Sequence, residues 1–265
     1  MKIGLPLLVS ILLSQAGYCQ QATNNKNKPV MKVEIWSDVM CPFCYIGKRK
    51  FEAALAQFPE KENIEIEWKS FQLEPNLKTD TTQNAVVHLS QSKGWSLEYT
   101  RQAISNVTAM AKAVGLHYDF DKAVVANSFD AHRLSHFAKT QGKGNELEEQ
   151  LFNAYFVEGK NIADFNILAE LATASGLDKN ETQKILKEGS FSSEVKADIA
   201  EAQSLGISGV PFFVFNRKYA VSGAQETNRF LETLQQAYTE FQAEKNKSLF
   251  KVIDGASCKP NGECK

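Results

Sequence analysis

An α/β fold is predicted for this chain, with one sheet interrupted by a large all-helical insertion. Three observations predict it. Val33-Glu34-Ile35-Trp36 is a β-branched and aromatic run that leads through Cys41-Pro42-Phe43-Cys44 into an amphipathic helix and then a second strand. Val210-Pro211-Phe212-Phe213-Val214-Phe215 is another apolar run, followed after Asn216-Arg217-Lys218 by Tyr219-Ala220-Val221, the pattern of a hairpin. The stretch between them, 79–205, carries helical rather than alternating periodicity.

The elements follow in order. Lys2 is the only charge in residues 1–20, and the apolar run Ile3 to Leu13 is too short to span a bilayer, so 1–20 reads as a signal peptide. Tyr18 before Cys19 speaks against a lipid-bearing cysteine. Residues 21–31 are a polar linker, and 32–78 form the first part of the sheet frame. There Ile46, Phe51, Ala54, Leu55 and Phe58 mark a helix that stops at Pro59, and Ile64-Glu65-Ile66-Glu67-Trp68 alternates as a strand. In the insertion, Ile104, Val107, Ala111 and Val114 recur at helical spacing, as do Leu147, Leu151 and Ala154, then Phe191, Val195, Ile199 and Ala202. Glycines at 115, 142, 144, 159, 176 and 189 punctuate these helices. Residues 206–243 complete the frame with the hairpin and a helix bearing Phe230, Leu234, Tyr238 and Phe241, and 244–265 is a cysteine-bearing tail.

Composition sets the bounds. At 265 residues with 43% hydrophobic and 23% charged residues, the chain is neither disordered nor collagen-like. A formal net charge of -1 excludes a global basic field for nucleic acid. The five cysteines divide into Cys19 in the signal region and two close pairs, Cys41/Cys44 and Cys258/Cys264. Export would place these pairs where disulfides persist, in the periplasm or outside the cell, with no stable membrane span in the mature chain.

The chemistry is expected at Cys41-Pro42-Phe43-Cys44. Cys41 falls at a helix N-cap with Pro42 as first helical residue, where its missing N–H costs nothing. The helix dipole and unpaired amides favour its thiolate, so Cys41 is the attacking sulfur and is expected to be exposed. Cys44, one turn on and shielded, closes the disulfide. A zinc site would want a second pair of like spacing, which Cys258-x5-Cys264 is not, so no metal and no cofactor beyond the dithiol is expected. Pro211 opens a strand, where the lost donor is tolerated. A strand–CxxC–helix unit reads as a thioredoxin-like fold. In that layout the Pro211 loop packs opposite the CxxC, and a cis Val210–Pro211 bond would offer the Val210 backbone to an extended substrate.

These stretches resemble the DsbA family of thiol–disulfide oxidoreductases, in particular its FrnE-like branch. The resemblance rests on Ser37-Asp38-Val39-Met40-Cys41-Pro42-Phe43-Cys44-Tyr45-Ile46-Gly47, Asn127-Ser128-Phe129-Asp130-Ala131-His132-Arg133-Leu134, Ala154-Tyr155-Phe156-Val157-Glu158-Gly159 and Gly209-Val210-Pro211-Phe212-Phe213. It implies Cys41 as nucleophile, Cys44 as resolving thiol, Pro211 as the cis-proline, and cysteine-containing client proteins with a separate redox partner. Phe43 stands where the strongest oxidants carry His, which implies a less acidic Cys41. The family's buried acid falls here on Ile35, flanked by Glu34 and Asp38, either of which can assist proton transfer if it is not simply a solvated surface charge.

Two other readings stay open. A glutathione-dependent kappa-type transferase or hydroxychromene-carboxylate isomerase has a similar layout, but Cys44 speaks against it. A non-catalytic, chaperone-like module would use the Pro211 groove alone. His132 and His136 stand one turn apart, and a structural role is expected for both. Cys258 and Cys264, bent together by Pro260-Asn261-Gly262, are either a clip on the tail or an auxiliary redox pair.

Overall fold

A computed structural model describes residues 30–245. The expected signal peptide, nearly all of the polar linker, Cys19 and the Cys258/Cys264 pair lie outside the described residues. The chain runs β1 (Met31–Ser37), α1 (Pro42–Gln57), β2 (Ile64–Ser70), β3 (Asp80–Asn84), α2 (Ala85–Lys93), α3 (Leu97–Ala113), β4 (Val124–Val125), α4 (Phe129–Thr140) and α5 (Gly144–Phe156). Then follow α6 (Phe165–Ala174), α7 (Lys179–Lys187), α8 (Ser192–Ser204), β5 (Phe212–Phe215), β6 (Tyr219–Ser222) and α9 (Thr227–Lys245).

The main sheet has the order β2-β1-β5-β6. β1 pairs parallel with β2 and antiparallel with β5, so the two parts of the frame on either side of the insertion meet at the central strands. The β5–β6 turn places Asn216 and Arg217 at φ 50° and 56°. Two successive left-handed residues match the right-handed twist of a hairpin. The insertion is helical apart from one two-stranded ribbon of β3 and β4, which the sequence reading did not include.

β1 is buried on both faces. Val33 and Ile35 join the main core, where Phe51 of α1, Phe213 of β5 and Phe230 of α9 interlock with ring centroids 4.6–5.9 Å apart. Trp36, on the other face, packs with Ala202, Ile207 and Val214, and its Nε1 donates to the Asp198 carbonyl at 3.1 Å. The same core runs on into the insertion through Leu134, Phe152 and Phe156, so frame and insertion share one interior. Ser96, Asp164 and Asp178 cap α3, α6 and α7 through their side chains, each satisfying an orphan amide.

Candidate active site

The link between β1 and α1 is built by hydrogen bonds that stack one turn on the next. Cys41 N–H donates to the Asp38 carbonyl at 2.9 Å, and Cys44 N–H donates to the Cys41 carbonyl at 3.0 Å. The Asp38 carboxylate accepts from Met40 N–H at 3.2 Å and Leu73 N–H at 2.8 Å, tying this link to the loop that follows β2. Cys41 is the N-cap of α1 and Pro42 its first residue.

Both cysteines are free thiols. Cys41 does not use its side chain to cap the helix; its S–H donates to the Val210 carbonyl at 3.4 Å. It is only 4% exposed, against the expectation of an exposed nucleophile. Its sulfur rests on the Val210 carbonyl of the proline loop instead of facing open solvent. A cavity of about 480 Å³ adjoins Cys41, Phe43 and Val210 and is walled by Leu73, Leu89, Trp95, Ile104, Val107 and Phe156. Cys41 therefore opens into an apolar chamber rather than onto the open surface, while Phe43 stands 42% exposed at its rim. Cys44 is buried as expected. Burial pushes the Cys44 thiol well up, and the adjacent Cys41 adds to this, while the Ser37 hydroxyl and the Asp38 amide act against it.

The Val210–Pro211 peptide bond is cis. Gly47 makes room for this loop on α1: a Cβ there would lie 3.0 Å from Pro211 Cγ. The insertion clasps the same turn from the other side, where the Tyr118 hydroxyl donates to the Pro42 carbonyl at 2.7 Å.

The two acids flanking Ile35 are both buried, which overturns the alternative of solvated surface charges. They serve differently. Glu34 lies on the Trp36 face, away from α1, and is paired with Arg217. Asp38 lies behind the cysteine turn, with His132 Nε2 3.4 Å from its Oδ1. Burial opposes a charge on His132, yet Asp38 and, behind it, Glu148 outweigh burial and raise its pKa. Burial also raises the Glu148 pKa. His136 turns to Asp198 at 3.0 Å and to Ser70 Oγ at 3.2 Å, so the two histidines face separate carboxylates. Sequence reasoning passed over Ser37, Gly47 and Tyr118. The first two stood inside the motif-bearing stretch; nothing local marked Tyr118.

A free cysteine pair at a strand–helix junction, facing a proline loop on a four-stranded mixed sheet, defines a dithiol protein of thioredoxin-like fold. Residues 32–235 match the model of the DSBA-like thioredoxin domain, and the chain belongs to that family. A probable DsbA oxidoreductase from Streptomyces coelicolor is 38% identical, with a TM-score of 0.75 over 89% of this chain and 98% of that one. The uncharacterised protein YwbO of Bacillus subtilis is 29% identical over 184 residues, which cover 69% of this chain and 85% of YwbO. A putative protein disulfide isomerase from Nitrosomonas europaea shares the fold at 14% identity, with a TM-score of 0.59 over 81% of this chain and 98% of its own. Among the described residues no helix is long and apolar enough to cross a membrane.

Proposed function

We propose that this chain is an exported thiol–disulfide oxidoreductase that exchanges disulfides with cysteine-bearing client proteins through Cys41 and Cys44. The observation that carries the reading is the seat of Cys41: at the head of α1, hydrogen-bonded to the Val210 carbonyl and open to an apolar chamber. A client cysteine entering the chamber meets Cys41 first, because Cys44 lies beneath it. The client backbone can run alongside Val210 in the manner of an added strand.

In the oxidising direction, a client thiolate attacks Cys41 of the Cys41–Cys44 disulfide and expels Cys44 as a thiolate, which takes up a proton. A second client thiol then attacks the client sulfur of the mixed disulfide and releases Cys41. The enzyme, now a dithiol, is reoxidised by a separate redox partner. The cysteine pair is the only redox group this scheme requires. The reverse sequence is reductase chemistry with the same residues, and the redox potential decides between them.

The test is substitution of each cysteine in the mature protein, with exchange followed on a fluorescent peptide disulfide. Cys41→Ser is expected to abolish exchange, and Cys44→Ser to accumulate an enzyme–peptide mixed disulfide on a non-reducing gel. Full exchange by Cys41→Ser would refute the reading. Export is tested by N-terminal sequencing of the protein recovered from outside the cytoplasm, where the mature chain should begin near residue 20.

A further inference from the structure

Among the described residues, two buried side-chain atoms lack a hydrogen-bond partner, Ser37 Oγ and His132 Nε2. Both border Asp38. His132 has the Asp38 charge 3.4 Å away to answer for it. Ser37 has nothing comparable. It is the last residue of β1, 3% exposed, and its carbonyl is already taken by Phe71 N–H at 3.0 Å. A hydroxyl shut away from water without a partner is costly, and alanine would fit the same space without that cost. An orphan of this kind next to a reactive group suggests a partner that exists in another state of the reaction.

The backbone supplies that partner. The Asp38–Cys41 and Cys41–Cys44 hydrogen bonds fold the turn back over the end of β1. The Cys44 sulfur thereby neighbours the Ser37 hydroxyl and the Asp38 N–H, both of which favour its thiolate, while Ser37 makes no hydrogen bond to the thiol. In the dithiol the Cys44 sulfur is a poor acceptor; as a thiolate it is a strong one.

We propose that Ser37 is the hydrogen-bond donor that, with the Asp38 amide, receives the thiolate of Cys44. This rests on the exchange chemistry proposed above and names a further residue in it. The step served is resolution of a mixed disulfide. Cys44, as thiolate, attacks the Cys41 sulfur; the Cys41–Cys44 bond forms and the bond from Cys41 to the client sulfur breaks. The client leaves as a thiolate and ends as a thiol, so the proton lost by Cys44 is balanced by the one gained by the client. Ser37 keeps its own proton throughout. In the opposite direction the same donor stabilises Cys44 as a leaving group, and lower leaving-group basicity speeds exchange.

The test uses the reduced, mature protein and 5,5′-dithiobis(2-nitrobenzoate), whose two coloured thiolates separate the steps. The first is released when Cys41 captures the reagent, the second when Cys44 displaces the remaining half. For Ser37→Ala the ratio of the second rate to the first is expected to fall roughly tenfold, the loss of one charge-assisted hydrogen bond. The pH midpoint of the second phase should rise by about one unit. Cys41, Asp38, His132 of α4, Glu148 of α5 and Tyr118, the other titratable groups around this turn, are unaltered in that variant. Thermal stability should hold or rise, because the orphan is gone. Ser37→Thr, which keeps the hydroxyl, should recover part of the ratio. An unchanged ratio and midpoint would overturn the proposal. So would a proportional fall of both phases with a lowered Tm, the mark of a packing role. Failure of the exchange reading shows itself separately, as a wild-type first phase that survives Cys41→Ser.

Discussion

Gly47 is where α1 touches the proline loop, and replacing it with alanine tests whether that contact positions the site. The added Cβ would stand 3.0 Å from Pro211 Cγ and 3.4 Å from Phe213 Cζ. Carbon atoms settle at about 3.5–4.0 Å, so something must retreat by roughly half an ångström. Phe213 has nowhere to go: it is fully buried, with Phe51 and Phe230 rings 5.5 and 4.6 Å from its own. The loop carrying Val210 and Pro211 therefore moves, and it holds the carbonyl to which Cys41 donates. Alanine gains about 1 kcal/mol of helix propensity over glycine. Overpacking costs about 1–3 kcal/mol. The net loss is about 0–2 kcal/mol, or a Tm lower by up to about 8 °C for a domain of this size. Exchange should suffer more than stability. If 1 Å of misplacement costs about a hundredfold, half of it costs roughly tenfold. The assays are thermal unfolding by circular dichroism and the rate of peptide disulfide exchange. A Gly47→Ala protein that is stabilised by about 1 kcal/mol and exchanges at the wild-type rate would refute this reasoning, since only the propensity gain would then be present.

Three further outcomes are expected. Burial works against ionisation of Glu67, but the hydrogen bonds from Lys139 and Lys32 outweigh it and hold its carboxyl at about 2. Its stabilisation is therefore complete above the ordinary value of 4.5 and is lost as pH falls toward 2, amounting to about 3 kcal/mol before solvent screening and about half that after it; Glu67→Gln should flatten acid unfolding measured across that window. Ile104→Trp, pointing more bulk into the chamber from half-buried α3, should slow exchange with a peptide disulfide flanked by aromatic residues several-fold more than with a small hydrophilic disulfide, and equal slowing of both would count against the chamber as an entry route. Replacing Cys258 and Cys264 with Ser should lower turnover with an external thiol reductant if the tail pair relays electrons, and unchanged turnover leaves it a structural clip.

The frame was legible because its signals are local. Alternation in Ile64–Trp68, β-branching in Val33–Trp36 and a proline before an apolar run each announce themselves within a few residues. β3 was not, since Asp-Thr-Thr-Gln-Asn carries no strand pattern and pairs only because Val124–Val125 is brought to it. The same holds at the site. The positions of Cys41 and Cys44 follow from strand–CxxC–helix order, but the chamber beside Cys41 depends on walls supplied by Leu89, Ile104 and Val107, and the seat of its sulfur on Val210, all far along the chain. The burial of both acids was hidden for a similar reason. Glu34 is covered because the hairpin returns Arg217 to β1, and Asp38 because α4 lays His132 against it. A charge beside a motif cannot reveal which neighbour will cover it.

The insertion thus sets the terms on which the frame reacts. The helix head and the proline loop bring together the two sulfurs and the Val210 backbone. α2 and α3 wall the apolar chamber beside Cys41, and Tyr118 fastens the insertion to the Pro42 carbonyl, next to Cys41. On the exchange function proposed above, a client cysteine would arrive on a segment able to desolvate into that chamber, an unfolded chain presenting apolar side chains rather than a folded surface. It also follows that any shift of α2–α3 changes access to Cys41 without touching the sulfur, whereas a shift of the Pro211 loop changes the Cys41 hydrogen bond directly. Access and positioning are thus controlled by separate parts of the chain, and the Ile104 and Gly47 substitutions perturb one each.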